Sequence, residues 1–344
     1  MRACIIDTFG QPPRLGEAPD PVCPAHGAVV EVHATGVCRS DWHAWQGHDD
    51  SVRLPHVPGH EFAGVIAQVG QEVTGFRAGD RVTAPFIFAC GRCEQCLAGA
   101  SQVCPHQRQP GFDLPGSWAE QVVVHQADHN LVALPDALDM TLAAGLGCRV
   151  GTAFHAVRVQ GEVQVAEQVA VIGCGGLGLA CVMVALAAGA EVIAVDVSDA
   201  SLEAAAALGA RALRSGPDVA AQIREMTGGG AHVALDALGS AATARAGIQA
   251  LRPRGRHVQV GLLLGKDADP PLPMGQVIAQ ELQIRGSHGL AATEYAAMLT
   301  EIADGRLDLG RTVGRVISVE DLPAAMVAMG EPPVVAGMTV ARLR

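Results

Sequence analysis

Aromatic side chains are scarce: Phe, Trp and Tyr supply 3% of the 344 residues. Any core must therefore be built mainly from Val, Leu, Ile and Ala. Runs of Lys or Arg are absent, and the formal net charge is −11 with a pI near 5.6. A nucleic-acid partner wants a basic face, so that class of function is set aside. The opening residues, MRACIIDTFGQPPRLGE, lack a long apolar segment and a small-residue cleavage site. No export signal is expected, which points to a cytoplasmic protein. Gln168–Ala190 carries no charge and is long enough to span a bilayer. Its glycine cluster and strand-then-helix pattern indicate a buried α/β unit instead, so no membrane partner is expected.

Other features are plentiful. Hydrophobic residues make up 49% of the chain, enough for a large core, and the length suits one or two domains. The 41 glycines signal many turns and close backbone approaches. There are ten cysteines. Without an export signal, clustered cysteines read as metal ligands in a reducing compartment rather than as disulfides. Cys4, Cys23, Cys174 and Cys181 have no spacing partner and read as core residues.

The chain is organised around Gly36–Gly64, GVCRSDWHAWQGHDDSVRLPHVPGHEFAG. It gathers Cys38, Ser40, Asp41, His43, His60 and Glu61 in a short span. A thiolate and an imidazole can bind zinc. A hydroxyl and a second imidazole can pass a proton. Asp41 is placed to orient His60 from behind. A catalytic zinc keeps three protein ligands and leaves one position for substrate. Cys38 and His60 are two of them; Cys148, in GLGCRVGTAFHAV, is the preferred third and Glu61 its competitor.

A second group reads Cys90-Gly-Arg-Cys93-Glu-Gln-Cys96, with Cys104 eight residues on. Four thiolates so spaced can close a tetrahedron around one zinc with no position left open, which makes that metal structural. An iron–sulfur cluster also takes four cysteines.

Val169–Val197 reads as a strand, a glycine turn, a helix and a second strand ending in Asp196. Gly173, Gly175, Gly176, Leu177 and Gly178 carry the G-x-G-x-x-G pattern, and Asp196 follows Gly178 by 18 residues. In that context the pattern is a dinucleotide fingerprint. A carboxylate at Asp196 suits the ribose hydroxyls of NAD and repels the 2′-phosphate of NADP.

Strands are expected at Met1–Asp7, Ala28–Val32, Glu61–Val69 and Val82–Pro85, with a further strand within Gly111–Val124. Short strands between glycine-rich turns indicate a small β barrel or sandwich. A helix over Leu142–Val159 carries Cys148. Strands at Val233–Leu238, Arg256–Val260 and Gln283–Ser287 alternate with helices at Ser201–Gly209 and Ala241–Leu251, which makes a parallel doubly wound sheet. Helices at Ala291–Gly305 and Asp321–Met329 and strands at Val316–Ser318 and Met338–Arg342 complete the tail.

The C-x-S-D-x-x-H and G-H-E motifs, the four-cysteine lobe and the glycine-rich turn together resemble the zinc-dependent alcohol dehydrogenases of the medium-chain dehydrogenase/reductase superfamily. The likeness runs over essentially the whole chain. It implies a GroES-like catalytic domain, residues 1–150 and 289–344, with the zinc lobe near 88–106. It implies a Rossmann cofactor domain over 151–288. It favours zinc over an iron–sulfur cluster in the lobe, giving two zinc ions per chain. It implies reversible oxidation of an alcohol to an aldehyde or ketone, with hydride transfer to NAD and a proton relay through Ser40 and His43. It also implies a homo-oligomer, either tetramer or dimer. Three rivals are a polyol or sugar-alcohol dehydrogenase on the same scaffold, a zinc-free quinone reductase, and a zinc-binding module without redox chemistry.

Overall fold

The computed structural model describes residues 1–331 and 334–344. Among these residues the strands fall into two large sheets and a hairpin.

The first large sheet is built on Ala28–Val37, AVVEVHATGV, whose β-branched residues suit a pleated, buried strand. Phe62–Val69 and Gln121–Val124 pair with it antiparallel, and Arg81–Thr83 and Val132–Ala133 extend the sheet beyond Phe62–Val69. The last strand, Met338–Arg342, pairs antiparallel with Ala34–Val37 on the edge away from Phe62–Val69, with Val313–Ser318 outside it. The tail thus closes the sheet that the N-terminal part opens. Arg2–Ile5 and Arg14–Glu17 form the separate hairpin.

The second sheet has six strands, all parallel. Their order across it is Arg211–Arg214, Glu191–Asp196, Gln168–Ile172, Ala231–Asp236, Leu251–Gln259 and Gln283–Gly286. Gln168–Ile172 and Ala231–Asp236 are near-continuous apolar runs, as strands covered by helices on both faces must be. The strand order reverses between these two, and in doubly wound sheets ligands bind outside the carboxyl ends of the strands at that switch point. Helix Gly176–Ala187, GLGLACVMVALA, starts there. It is apolar all round and almost wholly buried.

The expected helix over Leu142–Val159 is broken. A helical turn at Met140–Ala143, capped by Asp139, passes into a 3-10 turn over Ala144–Gly147. Cys148 then leaves helical geometry (φ −132°, ψ −76°) before a short helix Arg149–Phe154 and a π turn His155–Gln160. Gly145 and Gly147 weaken the helix locally. The strand expected within Gly111–Val124 is confined to Gln121–Val124, because Pro115 and Gly116 interrupt it. The edge strand Arg211–Arg214 and helix Val219–Met226 escape the sequence reading: RALR has no buried residue to mark it as a strand. Cys4, Cys174 and Cys181 are buried as expected, whereas Cys23 is half-buried. Among the described residues no helix is long and apolar enough to cross a membrane.

Candidate active site

The short helix Arg39–Trp45 sets the geometry. Cys38 is its N-cap and Asp41 its third residue, and the Asp41 side chain turns back to accept the Cys38 backbone N–H at 2.9 Å. The other Asp41 oxygen accepts the Gly59 N–H at 3.1 Å and meets His60 Nδ1 at 2.8 Å. This carboxylate, fully buried, fixes the two candidate ligands against one another. Gly59 has φ +102°, and a Cβ there would sit 2.3 Å from the Trp118 ring, so the approach to His60 requires glycine.

Bound through Nδ1, His60 aims its Nε2 away from Asp41; that nitrogen is buried without a partner. Cys38, His60 and Cys148 bring their donor atoms within 4.8 Å of one another. A buried polar nitrogen without a partner is costly unless something fills the position, and two thiols with one imidazole form a zinc donor set. The residues therefore fit the metal. A hydrogen bond from Cys148 lowers the Cys38 pKa well below the usual cysteine range against the effect of burial, and the same bond with burial pushes Cys148 up. Burial alone would depress His60; Asp41 and Cys38 outweigh it and hold its pKa high.

Glu61 stands apart from this group. Its carboxylate, 0% exposed, accepts the Arg149 backbone N–H at 2.8 Å and Arg149 Nε at 2.9 and 3.0 Å, and Nη2 adds a further contact. In this structure the competing third ligand is thus the partner of a buried guanidinium. An isolated buried carboxylate would be strongly unfavourable, and the pairing offsets part of that cost.

Ser40 Oγ lies 3.9 Å from Cys38 Sγ, beside the donor set. His43 turns the other way, with Nδ1 3.0 Å from Nδ1 of His48, and no hydrogen bond joins it to Ser40 among the described residues. Burial first, then Arg39 and His48, push the His43 pKa down to about 4. Phe112 and Phe86 flank the His60 ring at centroid distances of 5.4 and 6.0 Å, and His288 meets Phe86 at 5.3 Å. These apolar walls were not singled out in the sequence, where lone phenylalanines carry no spacing signal. Trp118 is core: it is fully buried and its Nε1 donates to Gly36 O at 3.0 Å. Trp45 is buried too, while Trp42 is half-buried beneath Arg39.

The four-cysteine lobe closes on itself. Cys93 Sγ lies 3.5 Å from Cys96 Sγ and 3.7 Å from Cys104 Sγ, and Cys90 Sγ 4.0 Å from Cys96 Sγ. Backbone N–H groups of Arg92 and then Cys93 pull Cys90 to about 6, while burial pushes Cys104 up to about 12. His106 contributes only a backbone N–H, to Cys104 Sγ at 3.4 Å.

At the switch point, a Cβ on Gly178 would lie 1.7 Å from Gly173 O, so helix and strand pack only with glycine there. Nothing lies within 4 Å of a Cβ on Gly175, which leaves open space over the turn. Asp196 Oδ2 accepts the Cys174 N–H at 2.6 Å and Oδ1 the Ser198 N–H at 2.8 Å. The carboxylate is thereby held at the end of its strand, beside the turn. An open backbone cradle at a helix start is the arrangement that accepts a pyrophosphate.

Residues 24–136 match the alcohol dehydrogenase GroES-like domain and residues 176–304 the zinc-binding dehydrogenase domain. An alcohol dehydrogenase of Geobacillus stearothermophilus is 33% identical, with 94% of each chain covered. The chain belongs to the zinc-dependent alcohol dehydrogenase family. Two solved structures share its whole course. One, the alcohol dehydrogenase TADH from Thermus sp. ATN1, has a TM-score of 0.91 and 31% identity, covering 100% of both chains. The other, described as an NAD-dependent alcohol dehydrogenase, has a TM-score of 0.89 and 29% identity with the same coverage. This member of the family is an oxidoreductase acting on alcohols, with a GroES-like and a Rossmann unit. Arg149, His48 and His288 are polar residues near the site that the sequence reading missed. Arg149 adjoins a candidate ligand, yet nothing in its sequence context distinguishes it from a surface arginine.

Proposed function

We propose that this alcohol dehydrogenase oxidises a small alcohol reversibly to an aldehyde or ketone, at a zinc held by Cys38, His60 and Cys148, with NAD as its cofactor. The observation that carries this reading is the convergence of those three side chains, from three separate segments, around the unpartnered Nε2 of His60. When bound, zinc supplies a Lewis acid for the alcohol oxygen and NAD a hydride acceptor. The protein's own residues do the rest. Asp41 fixes the His60 ring so that Nε2 faces the donor set. Phe86 and Phe112 exclude water from the wall beside it. Ser40 relays the hydroxyl proton, accepting it while releasing its own, and His43, reaching toward His48 and solvent, provides the outlet.

Cys90, Cys93, Cys96 and Cys104 hold the second, structural zinc. Gly173, Gly175, Gly176, Leu177 and Gly178 cradle the cofactor's phosphates, and Asp196 selects NAD over NADP. Residues 1–150 with 289–344 form the catalytic domain and 151–288 the cofactor domain. We read the enzyme as a cytoplasmic homo-oligomer, dimer or tetramer, its ten cysteines kept out of disulfides. No feature of the site favours polyols over simple alcohols. Following absorbance at the NADH wavelength with a panel of alcohols tests the reading: turnover is expected, with kcat/KM at least tenfold higher with NAD than with NADP. A clear preference for NADP would remove Asp196 from its role.

A further inference from the structure

Arg149 is buried between the two halves of the enzyme, 6% exposed. Its backbone N–H and Nε are taken by Glu61, and its Nη2 by Glu61 and, at 3.4 Å, by Thr339 O on the returning C-terminal strand. Gly36 leaves room for the pair: a Cβ there would fall 2.7 Å from Nη2 and 2.0 Å from Glu61 Oε2. A guanidinium carries five donors in a fixed fork, so Nη1 remains. Among the described residues it donates to no protein acceptor. It lies 3.1 Å from where a Cβ of Gly176 would stand, with Arg149 Cδ at 3.0 Å. Gly176 opens the helix of the glycine-rich turn.

That turn lacks a cation of its own. No Lys or Arg occurs between Gln168 and Ala210, and two neighbouring strands end in Asp196 and Asp236. Arg342, at the end of the closing strand, and Arg344, just beyond it, turn instead to Thr141 and to Glu31. A dianionic pyrophosphate at the helix start, with two carboxylates nearby, calls for N–H donors beyond the backbone. Arg149 is placed to give them from the opposite wall.

We infer that Arg149 binds the cofactor's pyrophosphate through Nη1 while Glu61 holds its other face, so that one buried ion pair spans from the metal-site wall to the dinucleotide turn. This rests on the NAD reading above. It gives Glu61 the task of orienting Arg149, and it makes the residue after Cys148 a binding residue for the cofactor.

The test is NADH affinity, measured by fluorescence titration on zinc-replete protein. Because removing Arg149 alone strands a buried carboxylate, the double variant R149Q/E61Q is compared with wild type. A tenfold or greater rise in the NADH Kd is expected, with the inhibition constant for ADP rising similarly and that for adenosine unchanged. R149K, which keeps a charge opposite Glu61 but loses the fork, should weaken NADH about three- to tenfold and decides the matter if the double variant fails to fold. An NADH Kd within twofold of wild type, or equal losses for ADP and adenosine, would overturn the inference. If wild type binds no NADH at all, the cofactor reading falls, and this inference with it.

Discussion

The two cysteine groups make an instructive pair. The four-thiol lobe draws all its ligands from fifteen consecutive residues, Cys90 to Cys104, and little else touches the sulfurs besides backbone N–H groups. The Cys38–His60–Cys148 group draws on three separate segments. It is held by a fully buried carboxylate on one side and lies beside a buried ion pair on the other. A local group can close a tetrahedron by itself and so fix a loop. A group assembled from distant segments needs the whole fold to form, and it can leave one position open at the seam between the halves. On the proposed reading, structural and catalytic duties divide along that line.

That contrast can be broken most forcefully at the third thiol. Cys148→Ser should cut kcat at least a thousandfold and remove one metal while leaving the lobe loaded. Cys104→Ser should instead cost the lobe its metal and lower Tm, with residual activity in whatever protein stays folded. Steady-state kinetics and thermal melts on both variants distinguish the two. Full activity and full metal in Cys148→Ser would bring Glu61 back as a ligand. The next effect in size concerns the proton path. Ser40→Ala is expected to lower kcat by about a hundredfold or more while the NADH Kd stays within about twofold; an unchanged kcat would take Ser40 out of the path.

A smaller effect sharpens the role of the buried carboxylate. Asp41→Asn should weaken zinc at the distributed group by about 10- to 100-fold, read by competition with a chelator, and leave the lobe's affinity alone. Equal loss at both groups would mean that Asp41 serves the fold rather than His60. The smallest effect is on acid stability. The unfolded chain takes a proton on histidine near pH 6.5, whereas His43 in the native state resists it until about pH 4. The unfolded state therefore binds more protons in this window, and stability falls as pH drops from 6.5 toward 4. Because the ring is only half-buried, the contribution is about 1 kcal/mol at pH 5. Buried His56 and His257, also depressed by burial, act with the same sign. His43→Gln should lessen the loss of Tm between pH 7 and pH 5; an identical slope would refute that contribution.

What the sequence makes legible follows the same division. The lobe is readable from spacing alone, since its ligands are local. The glycine-rich turn is readable because the strand, turn, helix and terminal Asp196 all lie on one continuous stretch. Asp41 is readable too, three residues from Cys38 on a short helix. Arg149 is not, because its meaning arises only when Glu61, 88 residues away, folds against it. Phe86 and Phe112 are likewise placed around His60 by tertiary packing, and His288 against Phe86. The break at Cys148 escaped because apolar periodicity runs through Leu142–Val159, and it is the non-helical backbone at that residue that separates its side chain from the helical run. The strand Arg211–Arg214 was hidden by its exposure at a sheet edge.

The account's central claim is that Cys38, His60 and Cys148 hold a metal distinct from the lobe's. Counting zinc by elemental analysis in purified wild type and Cys148→Ser tests it most directly. Two zinc ions per chain falling to one is the predicted result. A single zinc in wild type, retained in Cys148→Ser and lost in Cys104→Ser, would contradict it.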